Sequence, residues 1–199
     1  MLSRKSPCYA KHLGRINMEK RHISIPFKAE EIQNLKIGDY VYISGTIYSA
    51  RDAAHKRMTE ALAKDNLLAM DLKGNVIYYM GPSPAREGHI IGSAGPTTAS
   101  RMDKYTPQLL DLGLKGMIGK GKRTQEVKDA MVRNQAIYLA AVGGAGALLS
   151  KCIIKSEVLA YEELGTEAIR KMEVKDFPAV VVIDTKGNDL YEEVSKKGK

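Results

Sequence analysis

An α/β domain on a mixed β-sheet, arranged in layers, is the fold class that this sequence predicts. Three observations carry it. Short runs of β-branched, aromatic or uniformly apolar residues alternate with segments of helical spacing along most of the chain. Glycine, proline and asparagine punctuate the boundaries between them. With 199 residues, 44% hydrophobic and 27% charged, the chain is long enough for one sizeable core and ordinary in composition for a globular protein.

The elements follow in order. Residues 23–27 alternate and end at Pro26-Phe27, which predicts a short edge strand. Residues 28–35 predict a short helix, stopped by Gly38. Residues 40–47, Tyr-Val-Tyr-Ile-Ser-Gly-Thr-Ile, are β-branched and aromatic and predict a strand. Ser49 fits an N-cap with Asp52 three residues on, so a helix is expected to reach about Leu68. Residues 76–80 predict a strand entered by the turn Lys73-Gly74-Asn75. Residues 81–96 hold prolines and glycines and predict a long loop, a length that is usually functional.

Beyond it, residues 98–112 and 124–134 predict helices. Residues 116–119 and 136–142 predict strands, and 143–151 a helix of small residues. Strands are expected at 158–161 and 169–174 around a turn at 162–167. A further apolar strand spans 179–184, and the turn Lys186-Gly187-Asn188 leads to a last strand at 189–194.

Charge is concentrated at the ends. Of the formal net +8, four charges fall on Arg4, Lys5, Lys11 and Arg15, and three on Lys196, Lys197 and Lys199. The rest is nearly neutral, so the composition shows two basic tails and no basic groove for nucleic acid. Residues 1–17 are expected to be a flexible extension, 18–195 a single domain and 196–199 a basic tail. Residues 1–17 lack the apolar centre of a secretory signal, and no apolar run approaches the ~18 residues of a membrane helix. A cytoplasmic protein without a membrane partner is expected. Cys8 and Cys152 form no Cys-x-x-Cys pair, and two thiols cannot build a disulfide framework or a self-contained metal cluster. Cys152 reads as a small core residue.

Four segments carry candidate chemistry. In Ser49-Ala50-Arg51-Asp52-Ala53-Ala54-His55, an arginine sits in the first turn of a helix, where the positive dipole end disfavours it unless an anion binds there. The guanidinium fork matches a carboxylate. The bland alternative is a surface arginine and a packed histidine. In Gly92-Ser93-Ala94-Gly95-Pro96-Thr97-Thr98-Ala99-Ser100-Arg101-Met102-Asp103, a glycine-rich loop opens into a helix with hydroxyls at its start, the anatomy of an anion site. Thr97 and Arg101 are expected on one helix face; simple capping by Thr97 or Thr98 is the alternative. Gly116 to Lys122 nearly matches a phosphate loop but fails at Arg123, where serine or threonine is required. Lys120 at the end of a strand, aimed at an anion, stays open beside a solvated basic turn. Gly143-Gly144-Ala145-Gly146-Ala147 reads as close helix packing.

Together these segments resemble one family. The motifs Arg51-Asp52-Ala53-Ala54-His55, Tyr79-Met80-Gly81-Pro82, Gly95-Pro96-Thr97-Thr98-Ala99-Ser100-Arg101-Met102-Asp103 and Lys120-Gly121-Lys122-Arg123 are similar to the beta-type half of class I fumarases. The runs Glu163-Leu164-Gly165-Thr166-Glu167 and Asp176-Phe177-Pro178-Ala179 continue the likeness, which covers roughly residues 22–192. The resemblance implies a layered swivelling β/β/α-type domain. It implies a [4Fe–4S] cluster held by an alpha subunit, with no metal ligand on this chain, and a small dicarboxylate substrate. It also implies that an isolated chain exposes an apolar face around the 82–96 loop and self-associates there as a homodimer.

Site roles follow from the same resemblance. Thr97 corresponds to a catalytic base. Arg51, Thr98, Arg101 and Lys120 correspond to residues that bind substrate, and Asp52 and His55 to supporting positions. The nearest rival is the beta subunit of L-tartrate dehydratase, which shares the Gly-Pro-Thr-Thr element. Lys122 stands where the fumarase type has asparagine, whereas Phe177-Pro178-Ala179 favours that type. A non-catalytic binding module with basic tails is the alternative of another class. It leaves Arg51, Thr97 and Arg101 unexplained.

Overall fold

A computed structural model describes residues 21–141 and 146–197. The elements are β1 (Arg21–Ile25), α1 (Ala29–Gln33), β2 (Tyr40–Ser49), α2 (Asp52–Leu62) and β3 (Val76–Tyr78). A 3-10 turn, Ala99–Met102, precedes α3 (Thr106–Asp111), β4 (Gly116–Gly119), α4 (Gln125–Asn134) and β5 (Ile137–Ala141). Then come α5 (Gly146–Ser150), β6 (Ile153–Ala160), a second 3-10 segment Glu162–Glu167, β7 (Ile169–Ile183) and α6 (Leu190–Lys197).

The sheet is mixed, as expected. Its order is β1-β2-β3-β4-β5-β7-β6, and β2 also pairs with β7. The first five strands run parallel to their neighbours; β7 is antiparallel to β2, β5 and β6. The β2–β7 pairing turns the sheet back on itself. Alternate residues of the same strands enter two separate cores. Val76, Tyr78, Ile118, Ile137 and Leu139 belong to one core, with Ile43, Phe177 and Val181. Ile77, Tyr79, Met117 and Tyr138 belong to the other, with Met58, Leu109 and Met131 from α2, α3 and α4. A period of two with both faces buried explains why these strands read as nearly continuous apolar runs.

Several boundaries differ from expectation. The segments at 169–174 and 179–184 are one strand. It bends at Asp176, which adopts φ 49°, and its register against β2 shifts between Ile43 and Gly45. A bulge of this kind lets one half pair with β6 and the other with β5. β6 starts at Ile153, earlier than the expected 158. α2 stops at Leu62, short of Leu68, because Leu67 is 96% exposed and has no core to join. Ser49 is the last residue of β2, and Arg51 takes the N-cap position. The helix expected at 98–112 is broken in two. Pro107 sits in the first turn of α3, where a missing N–H is tolerated, but it cannot continue a preceding helix. The last strand is instead α6: Asp189 accepts from Tyr191 N–H at 2.9 Å and starts a helix, leaving a single bridge between Ile183 and Asp189. Cys152 is half-buried and packs on the first core. The expectations for residues 1–17, for Val142 to Ala145 and for the last two residues lie outside the described residues.

A candidate site at the carboxyl ends of three parallel strands

β2, β3 and β4 are adjacent and parallel, so their carboxyl ends share one edge of the sheet. Open α/β sheets bind ligands at such an edge. β2 hands the chain to Arg51, β3 to Tyr79-Met80-Gly81, and β4 to Lys120. The glycine-rich loop returns between the last two. Thr97 N–H donates to the Tyr79 carbonyl at 2.7 Å, and Lys120 N–H donates to the Thr97 carbonyl at 3.3 Å. Ala99 N–H in turn donates to the Lys120 carbonyl at 2.8 Å. Backbone hydrogen bonds thus fix Thr97 and Thr98 beside Lys120. Thr97 is half-buried, Thr98 and Lys120 are exposed, and the Thr97 hydroxyl makes no hydrogen bond to the described residues. Thr98 is extended and Thr97 lies outside any helix; the turn with Arg101 begins only after them.

The two arginines meet through Asp52. Arg101 Nε donates to Asp52 Oδ1 at 2.7 Å, and Arg51 Nε lies 3.8 Å from Asp52 Oδ2. Arg101 engages Asp52 through its Nε, which leaves the two terminal nitrogens without a hydrogen bond among the described residues. Arg51 Nη2 is 3.4 Å from Glu167 Oε1. Gly81 makes room for this arginine: a Cβ there would lie 2.9 Å from Arg51 Cδ and Nη1 and 2.8 Å from the Thr166 carbonyl.

His55 and Arg123 lie beneath the site, out of reach of a ligand. His55 is fully buried. Its Nδ1 lies 2.8 Å from the Arg51 carbonyl, which assigns the proton to Nδ1 as donor. Burial pushes the imidazole down to about 4, with the nearby Arg123 charge adding to that and the Arg51 hydrogen bond opposing it. The ring is therefore neutral at pH 7, and its Nε2 has no hydrogen-bond partner among the described residues. Arg123 belongs to the basic motif in sequence, yet its side chain is 0% exposed. It donates to Asp103 Oδ1 at 2.7 Å and to Thr106 Oγ1 at 2.8 Å, and it lies over the Tyr79 and Tyr138 rings. Asp103 Oδ2 accepts from Thr124 N–H at 2.7 Å, at the start of α4. This buried pair fastens the Lys120 loop to the segment carrying Thr97 and Arg101.

All seven predicted residues (Arg51, Asp52, His55, Thr97, Thr98, Arg101 and Lys120) thus gather at one sheet edge, five facing outward or half-buried, Asp52 between the arginines and His55 below. Sequence reasoning placed Glu167, Gly81, Arg123 and Asp103 in the family's motifs but gave them no role in the site. A glutamate in a polar turn 114 residues from Ala53 gives no local signal. A cleft of about 540 Å³ lies elsewhere, lined by Ser83, Arg86, His89, Ile90 and α5 residues. Residues 83–90 are exposed; Ile90 is their one large apolar side chain, and Leu148 of the neighbouring α5 is also exposed. Gly146 has no room for a Cβ against Gly95 N, at 2.6 Å, which fits close packing. Among the described residues no three His, Cys, Asp or Glu side chains are grouped to hold a metal ion. Burial also pushes the Cys152 thiol up, away from a ligating thiolate. The described residues do not form a ligand set for an iron–sulfur cluster.

Cations and hydroxyls thus stand at the carboxyl ends of parallel strands of an α/β domain, with a glycine-rich loop between them. The chain belongs to the fumarase C-terminus family, whose model matches residues 4–194. It is 41% identical over 166 residues to the aerobic class I fumarate hydratase of Escherichia coli, covering 82% of this chain and 30% of that protein. It is likewise 41% identical over 164 residues to fumarate hydratase 2 of Leishmania major, covering 81% of this chain and 29% of that one. The chain therefore spans under a third of the length of these relatives. With the putative L(+)-tartrate dehydratase subunit beta of Methanocaldococcus jannaschii it shares 37% identity over 174 residues, covering 84% of this chain and 89% of that one.

Proposed function

We propose that this chain is the beta-type subunit of a two-chain hydro-lyase that reversibly hydrates fumarate to malate. The observation that carries the reading is the convergence of Arg51, Thr97 and Lys120 at the ends of β2, β3 and β4, with Arg101 tied in through Asp52. The likeness to a separate tartrate dehydratase beta subunit of similar length, beside much longer fumarate hydratases, supports the two-chain arrangement. The reading assigns the [4Fe–4S] cluster to an alpha-type partner and gives no residue of this chain a role toward it. No described helix is long and apolar enough to cross a membrane; the cytoplasm is the compartment proposed.

In this reading Arg51, Arg101 and Thr98 hold the two carboxylates, and the Thr97 oxygen exchanges a proton with the carbon beside one of them. Loss of that proton places extra negative charge on the adjacent carboxylate. Fixed cations aimed at that charge stabilise the transition state more than the ground state. A threonine hydroxyl is a weak base, and the neighbouring Lys120 favours its ionised form. Asp52 and Glu167 offset part of the positive charge, so the face suits a small dianion better than a polyanion.

The test is anaerobic fumarate hydration by this chain, alone and combined with its reconstituted alpha-type partner. Activity is expected only in the mixture, with Thr97→Ala lowering kcat by roughly 10²–10⁴-fold, the range for a lost general base. No activity with a partner shown to hold its cluster rejects the reading. Activity with L-tartrate instead selects the second reading, which the Methanocaldococcus jannaschii relative favours.

A further inference from the structure

Arg51 is gripped by a segment more than a hundred residues away in sequence. Glu167 closes the 3-10 segment before β7 and reaches two groups at once. Its Oε2 accepts from Ala53 N–H at 2.9 Å, in the first turn of α2. Its Oε1 lies 3.4 Å from Arg51 Nη2. The neighbouring Thr166 carbonyl and the Cα of Gly81 form a slot along the arginine stem, with no space for even a methyl group. Within that slot Arg51 Nε has no hydrogen-bond partner among the described residues.

We propose that Glu167 is a positioning residue that sets the orientation of the Arg51 guanidinium toward one carboxylate of the substrate. The inference rests on the reading of Arg51 as a substrate-binding cation. An arginine side chain loses much rotamer freedom when it is ordered. The slot and the Glu167 charge remove that freedom before the ligand arrives. At 3.4 Å, with both side chains about a quarter exposed, the contact is a restraint and not a bidentate lock, so the fork stays available to a ligand. The two oxygens also separate two roles. Any acceptor can satisfy Ala53 N–H, whereas holding Arg51 requires the negative charge.

The experiment uses the assembled enzyme with its alpha-type partner and fumarate as substrate, assayed anaerobically. Glu167→Gln keeps an acceptor for Ala53 N–H and removes the charge. We expect it to raise KM about tenfold with a smaller fall in kcat, an effect of misplacing a clamp. In an Arg51→Lys background the same substitution is expected to add less than about twofold, because the two residues act as one unit. Glu167→Asp, which keeps the charge at shorter reach, is expected to fall between. Thermal unfolding of the chain checks that the glutamine variant is folded. Full additivity with Arg51→Lys, or wild-type kinetics for Glu167→Gln, overturns the positioning role alone. Wild-type kinetics for Arg51→Lys overturns it together with the reading of Arg51.

Discussion

At the scale of single residues, the site depends on an arginine in an unfavourable place. Arg51 stands at the N-terminus of α2, where the helix dipole and unpaired N–H groups repel a cation. Asp52 and Glu167 offset that cost, and Gly81 supplies the space. Gly81→Ala would drive a methyl group into Arg51 and the Thr166 carbonyl, so we expect loss of turnover of about a hundredfold in the assembled enzyme, the scale of a misplaced clamp. A Gly81→Ala enzyme with normal kinetics would show that the slot does not matter. His55 makes a second prediction. Its folded pKa of about 4 is below the ordinary 6.5, so the unfolded chain binds the proton first as pH falls. The stability it contributes is whole above about pH 6.5 and is lost progressively toward pH 4, on the order of 3 kcal/mol in all. Urea unfolding across that range should show this slope, and His55→Gln should flatten it. Arg51, Thr97, Arg101 and Lys120 could be picked out as candidates in sequence because each carries an ionic or hydroxyl group in a local motif, and the fold brings them to one sheet edge. The contacts of Glu167 with Ala53 and Arg51 were not legible, because those partners arrive only when β7 folds against β2.

At the scale of elements, the parallel strands β1 to β5 were read more reliably than the helix ends and the antiparallel strands. β3, β4 and β5 are buried on both faces and leave uninterrupted apolar runs. The helix boundaries turned on single residues: Pro107 opening α3, Leu67 left without a core, Asp189 starting α6. The join between α3, α4 and the Lys120 loop is a buried ion pair, and basic motif spacing alone presents Arg123 as one more cation for a ligand. Its 0% exposure and its bond to Asp103 make it a fastening instead. Removing one partner of a buried pair leaves an uncompensated charge, so Asp103→Ala should destabilise the chain by about 3–5 kcal/mol. Denaturant titration of the isolated chain measures this, and a loss below about 1 kcal/mol, the value of a surface pair, would show that Arg123 finds water when Asp103 is gone.

At the scale of the whole molecule, the layered architecture predicted for this family follows from one strand. β7 pairs with β2, β5 and β6, and its residues enter both cores: Phe177 and Val181 the first, Val182 and Ile183 the second. Neither layer can be completed without it, since β2 and β5 would each lose a neighbour and both cores a wall. The two cores should therefore unfold together despite having separate side-chain sets. Phe177→Ala in the first core and Met58→Ala in the second each empty a fully buried position. Large-to-small changes of this kind cost roughly 2–5 kcal/mol. Each substitution should shift one common transition, with far-ultraviolet dichroism of the backbone and near-ultraviolet dichroism of the tyrosines moving in step. Two transitions in either variant, one probe leading the other, would mean that the helical layer holds its core without the strand that joins it to the other sheet layer, and that the site edge is carried by one half of the domain.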